Sequence, residues 1–170
     1  MTNLSRRAFL GGATALVAMP AAAQTAGIAP GTRFSSVAVN VGPLHARRLG
    51  DYAEFIRRSL TTELQRAFAD RLGGPGPRLV VVVTGVSLNP YVGGGTGGRW
   101  GRGSGGGGLD SDYLEGEALV VGSRGEVLAR HPQVSATPAT MGGAWYDPTS
   151  EQKRTAYLAW HYAQWLRRAI

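Results

Sequence analysis

Hydrophobic and polar positions alternate within Phe34 to Val41. Val37, Val39 and Val41 fall on one side and Ser36, Ala38 and Asn40 on the other, the period-two pattern of a half-buried strand, which Gly42-Pro43 stops. From Asp51 to Leu72 the period lengthens. Tyr52, Phe55, Ile56, Leu60, Leu64, Ala67, Phe68 and Leu72 recur at three- and four-residue steps, which predicts an amphipathic helix. Asp51 with Glu54 is the expected capping box at its start, and Gly73 the left-handed stop. Arg57, Arg58, Glu63, Arg66 and Asp70 fall mostly on its solvated face.

Leu79-Val-Val-Val-Val83 is a β-branched run ended by Asn89-Pro90, expected as a central strand buried on both sides at its start. Tyr113–Val121 and Glu126–Val134 read as two further strands joined by the Gly122-Ser-Arg-Gly125 hairpin. In the first of them Leu114, Ala118 and Val120 oppose Tyr113, Glu115 and Glu117. Thr149 to Ile170 is the last helix, opened by a Thr149-x-x-Gln152 box and burying Leu158, Tyr162, Trp165, Leu166 and Ala169. The expected class is α+β, in β-α-β-β-β-α order. It comprises a mixed four-stranded sheet with two helices packed on one face, the first two strands parallel. One domain is expected over residues 33–170, interrupted by a Gly-rich loop at 93–108 that holds 11 Gly in 16 positions. With so few side chains to bury, that loop is read as a flexible excursion.

Residues 1–23 follow a different pattern: Arg6 and Arg7, an apolar stretch Ala8–Met19, then small residues ending in Ala21-x-Ala23. This is the three-part layout of a cleaved export signal, and its apolar part is too short to span a bilayer. Ser5-Arg6-Arg7-Ala8-Phe9-Leu10 resembles the consensus of twin-arginine (Tat) signal peptides. The resemblance implies a passenger that folds in a bacterial cytoplasm, meets the Tat translocase, and reaches the periplasm as a soluble protein. Cleavage after Ala23 leaves Gln24–Thr32 as a flexible leader. No Cys follows that site, so no lipid-modified anchor is expected.

Composition narrows the chemistry. The chain has 170 residues and no Cys, which excludes a disulfide framework, a thiolate nucleophile and a zinc ribbon. Eighteen basic residues against 11 acidic ones give a net charge of +7, and without Arg6 and Arg7 the balance is 16 against 11, or +5. Lys153 is the sole Lys, a skew that reads as base composition rather than selection for a polyanion. Gly98-Arg-Trp-Gly-Arg-Gly103 looks like an RGG-type tract, but a periplasmic destination argues against a nucleic-acid partner. Gly93-x-Gly95-x-x-Gly98 fits the dinucleotide fingerprint by arithmetic alone, since no helix follows it.

No assembled catalytic set is visible. Asp110 and Asp112, with Glu115 and Glu117 beyond them, are spaced as paired carboxylates on one side of a strand, and the plain reading is an exposed polar face. His45, expected in a loop, His131 and His161 are too scattered for a metal motif, and no cofactor is called for. The most suggestive cluster combines Trp145, Tyr146 and Asp147, ahead of the last helix, with Asn89, Tyr91 and Trp100 at the glycine loop. Aromatic faces beside Asp and Asn suit a sugar or peptide ligand, although Trp145 or Tyr146 also suits a hydrophobic staple.

The element order, the export signal and the Val121-Gly-Ser-Arg-Gly-Glu-Val-Leu128 hairpin resemble small α/β envelope proteins of Gram-negative bacteria, including the N-terminal part of the curli-secretion lipoprotein. The resemblance carries no catalytic motif. The expected role is a non-enzymatic envelope interaction module that meets an envelope protein or cell-wall component. The alternative is a cell-wall sugar or peptide binder or hydrolase using Asp110, Asp112 and Asp147 with Trp100 and Trp145. An uncovered second sheet face would allow a homodimer.

Overall fold

The computed structural model describes residues 28–89, 111–144 and 146–170. The signal residues Arg6, Arg7, Ala21 and Ala23, and the candidate residues Tyr91, Trp100, Asp110 and Trp145, lie outside them. The class is α+β. Strands β1 (Ser36–Asn40), β2 (Arg78–Ser87), β3 (Ser111–Val121) and β4 (Val127–Pro138) form one mixed sheet in the order β1-β2-β3-β4. β1 and β2 run parallel and the other neighbours antiparallel. Val37 pairs with Leu79, Leu79 with Val120, and Val120 with Ala129. The period-two pattern therefore lines one apolar row across all four strands.

Two long helices cover that row: α2 (Gly50–Ala67) and α3 (Ser150–Ala169), preceded by a short α1 (Gly42–Ala46). Ala53, Ile56, Leu60 and Leu64 of α2, and Leu158, Tyr162 and Leu166 of α3, close on Leu79, Val81, Leu114 and Ala118. Gly116 lets α3 approach this closely. A Cβ there would stand 2.9 Å from both the Tyr162 hydroxyl and the Val82 carbonyl oxygen, nearer than real Cβ atoms come. The opposite sheet face is mixed. Val80, Val82 and Leu119 are half-buried, Val134 is exposed, and Arg130 donates to Glu117 across it at 2.9 Å. β2 is accordingly buried on one side and only half-buried on the other. Pro132 and Pro138 share a parity on the edge strand β4, where a missing N–H costs no ladder bond if it faces away from β3.

Several local expectations are corrected. Gly42-Pro43 does end β1, and it also opens α1, because proline suits a first helical turn. His45 therefore lies on a helix and pairs with Glu54 at 2.9 Å. Glu54 also accepts from Arg57 at 2.7 Å, so it forms no capping box; the N-cap position belongs to Leu49. α2 stops at Ala67 and continues as a 3₁₀ turn, Ala69–Arg71, before Gly73 with φ +85°. Thr149 is the N-cap residue of α3 but makes no side-chain cap bond. Its hydroxyl and its N–H instead donate to the Asp147 carboxylate at 2.6 and 2.8 Å. Trp165 and Ala169 are exposed rather than buried.

Trp165 donates its indole N–H to Nε2 of His161 at 2.7 Å, which places the imidazole proton on Nδ1, a buried atom with no partner among the described residues. Burial, and then the neighbouring Arg168 charge, hold the His161 pKa below its usual value. The unfolded chain takes up a proton near pH 6.5, roughly the model-peptide value, before the folded chain does. His161 thus contributes stability above that pH and loses it as the pH falls through the lower, folded value. The melting temperature of the native protein should drop more between about pH 7 and 5 than that of His161→Gln. Parallel pH profiles in the two proteins would contradict this.

Candidate functional site

The suggestive residues gather where β2 ends, β3 begins and α3 starts. Parity decides the position of Asp112. In β3 it shares a face with Leu114, Gly116 and Ala118, and that face looks into the core. Asp112 is therefore fully buried, which corrects the expected exposed carboxylate face. Its partner comes from the first turns of α3, where Arg154 is 4% exposed. Arg154 donates from Nε to one Asp112 oxygen at 2.7 Å and from Nη2 to the other, a two-pronged contact. The hydrogen bond with Asp112 raises the Arg154 pKa, so the cation is permanent.

The same group ties together the residues on either side of positions 90–110. Arg154 also donates from Nη2 to the Asn89 carbonyl oxygen at 2.6 Å. The Asn89 backbone N–H donates to Asp112 at 3.0 Å, and its side-chain amide donates to the Ser111 carbonyl at 2.7 Å. Asn89 and Ser111, which flank positions 90–110, are thus fixed to one another and to α3, and this junction forms a neck. Next along α3, Thr155 exchanges a 2.7 Å hydrogen bond with Tyr52 of α2, so both helices brace the neck.

Asp147 stands at the same end of α3 but has different work. It accepts from Lys153 at 2.6 Å and from Thr149, and these bonds, the Lys153 one foremost, hold its carboxyl well below the usual carboxylate range. Tyr146, next to it in the chain, is 75% exposed. The structure thus brings Asn89, Asp112 and Arg154 into contact and puts Asp147 nearby on the helix start. Arg154 escaped the sequence reading. Its signal was a charge four residues before Leu158 on the buried stripe of α3.

On the far face of the sheet, beside the neck, Arg47, Gly85, Val86, Ser87, Tyr113 and Glu115 line a hollow of about 190 Å³. The Glu115 carboxylate lies across Gly85, with Oε2 3.0 Å from where a Cβ would stand. The chemistry on offer at this end is recognition through hydrogen bonds and opposite charges. The two described carboxylates expected to act as acid or base, Asp112 and Asp147, are committed to Arg154 and to Lys153 and Thr149. Among the described residues no group of three His, Asp or Glu side chains could hold a metal ion, and no helix is long and apolar enough to cross a membrane.

No family model matches the chain, and no curated protein does. Among solved structures it is similar to the 2.35 Å crystal structure of a minor lipoprotein from Acinetobacter baumannii, at 11% identity and a TM-score of 0.41, covering 79% of this chain and 91% of that one.

Proposed function

We propose that this is an exported, non-enzymatic protein of the bacterial envelope, in which a braced neck presents residues 90–110 to an envelope protein or cell-wall component. The observation that carries the reading is the Asp112–Arg154–Asn89 clamp. A buried ion pair is an expensive way to gain stability, and an apolar pair of the same volume would serve a core as well or better. Its geometric product here is a fixed separation and direction for two chain ends. The intervening segment brings Arg99, Trp100 and Arg102 on a glycine background, side chains suited to stacking and to anionic or polar groups. The export-signal pattern of residues 1–23 supports the envelope assignment, and the engagement of Asp112 and Asp147 in structural bonds favours binding over hydrolysis.

The test is crosslinking and capture from periplasmic extract, comparing the mature chain with one lacking Gly93–Gly108. The reading predicts partners that the full chain captures and the shortened chain loses, with both proteins melting within a few degrees of each other. The same partners on both proteins would show the segment to be a spacer.

A further inference from the structure

One side of α3 is turned outward, away from the core stripe and from the neck. Tyr157, Trp160, His161, Gln164, Trp165 and Arg168 recur at three- and one-residue steps, which aligns them along one side of the helix. The side against α2 borders this face: Ala156, four residues before Trp160, faces Arg58 and Thr62, and Arg167, seven residues after Trp160, donates to the Ala67 carbonyl at 3.1 Å and to Asp70 at 2.8 Å. Trp160 therefore stands at the α2 border of this outward face and Trp165 at its other border, beside the buried Leu158. Trp160 is 40% exposed and Trp165 51%. Two indoles left this open at the two borders of a broad outward helix face cost hydration free energy that neither the core nor the sheet recovers.

The side chains are also ordered in place. The Tyr157 and Trp160 rings lie 5.3 Å apart, and the Arg168 guanidinium sits 5.5 Å from the Trp165 ring centre, with His161 bonded to the indole N–H. No acidic residue belongs to the stripe. The β4 residues on the helix-facing side are Ala129, His131, Gln133, Ser135 and Thr137, again without an acid. α3 carries a single carboxylate, Glu151 in its first turn.

We propose that this stripe is a peripheral docking surface for a bilayer that carries anionic phospholipid. Charge chooses among the occupants. A glycan stacked on the indoles needs carboxylates or amides at the ring edges to take up its hydroxyls, and the stripe supplies one, Gln164. A second copy joined across a two-fold axis brings a second Arg168 and no acidic side chain of the stripe to meet it. An anionic headgroup layer gives Arg168 its phosphates, and gives Trp and Tyr the boundary between water and hydrocarbon where such rings settle. The contact is surface adsorption, consistent with the absence of a spanning helix among the described residues, and it does not depend on the neck or the glycine segment.

The mature chain should co-sediment with phosphatidylcholine vesicles that contain phosphatidylglycerol, with a blue shift in tryptophan emission, and should leave pure phosphatidylcholine vesicles unbound. Raising the salt should weaken binding. Arg168→Gln should lower the partition coefficient about fivefold, the fold-change that about 1 kcal/mol per basic residue near an anionic surface gives. Replacing Trp160 and Trp165 together by Ala should lower it by roughly tenfold or more through lost apolar contact. Arg66→Gln, an equal charge loss on the outer side of α2, is the control and should retain wild-type partitioning. Unchanged circular dichroism will show that these exposed substitutions leave the fold intact. Equal partitioning of the Trp double variant and the native chain would overturn the proposal. So would binding indifferent to phosphatidylglycerol, or a dimer in sedimentation equilibrium that the Trp substitutions dissociate.

Discussion

Replacing Arg154 by Met is expected to destabilise the protein by about 3–5 kcal/mol, because it leaves the fully buried Asp112 carboxylate without its cation. The loss comes in three parts. Two charge-assisted bonds to Asp112 vanish, the Asn89 carbonyl loses its donor, and α3 no longer holds the neck. Arg154→Lys should recover only part, since a point charge cannot reproduce the two-pronged contact. Adding Asp112→Leu to Arg154→Met should return much of the lost stability, because the unpaired charge goes too. The neck would then lose its fixed geometry while the fold survived, and capture of the partner should fall although the protein still melts cooperatively. Urea unfolding of the two single variants and the double variant measures the coupling. An Arg154→Met cost below about 1 kcal/mol, the range of exposed ion pairs, would show that the pair does not organise this end of the molecule.

The second large effect lies at the other end. Phe68 is fully buried where α2 ends, edge-on to Phe34 with ring centres 5.8 Å apart and planes at 75°. Arg71, itself 5% exposed, rests 5.3 Å from the Phe68 ring centre and donates to the Thr32 carbonyl at 2.9 Å and to the Ile170 carbonyl at 2.8 Å. Burial, and then the charge of Arg167, lower the Arg71 pKa, so the aromatic faces matter in keeping this guanidinium inside. Phe68→Ala should cost about 3–5 kcal/mol through the cavity it opens and should leave Arg71 only the Phe34 ring, whose centre lies 5.8 Å from its guanidinium. Phe68→Leu should cost markedly less. Because this cluster is remote from the neck, the folded fraction of Phe68→Ala should capture partner like the native protein. A loss of capture in fully folded Phe68→Ala would mean that the two ends communicate.

The strands were legible because a sheet with one covered face writes its pattern with period two. Val37 with Val39, and Leu114 to Val120, alternate within a few residues, whereas Leu79 to Val83 is an unbroken β-branched run whose one-sided burial shows only in the sheet. α2 and α3 were legible for the corresponding reason at period 3.6. What escaped depended on distance along the chain. Asp112 looks like surface polarity until its parity with Leu114 is weighed, and its burial is tolerable only because Arg154, 42 positions later, folds back onto it. Trp165 carries the hydrophobicity of a core residue, but it sits at the border of the buried stripe and turns out beside His161. The caps failed through competition. Glu54 and Thr149 have the right chemistry for capping boxes, and each found a nearer partner, Arg57 with His45 in one case and Asp147 in the other. α1 is five residues, too short for any periodicity to show. The Arg47–Glu115 hollow joins residues from three parts of the chain, and no local pattern announces such a site.

Compartment decides the account more than any side chain does, since it separates an envelope partner from a nucleic-acid one for the Gly/Arg/Trp segment. The direct measurement is N-terminal sequencing of the protein recovered from the periplasmic fraction of cells that express the full chain. A mature terminus at Gln24, lost from that fraction when Arg6 and Arg7 are both changed to Lys, is the predicted result. Full-length protein confined to the cytoplasm would contradict it and return the Gly98–Gly103 tract to consideration as an RNA contact.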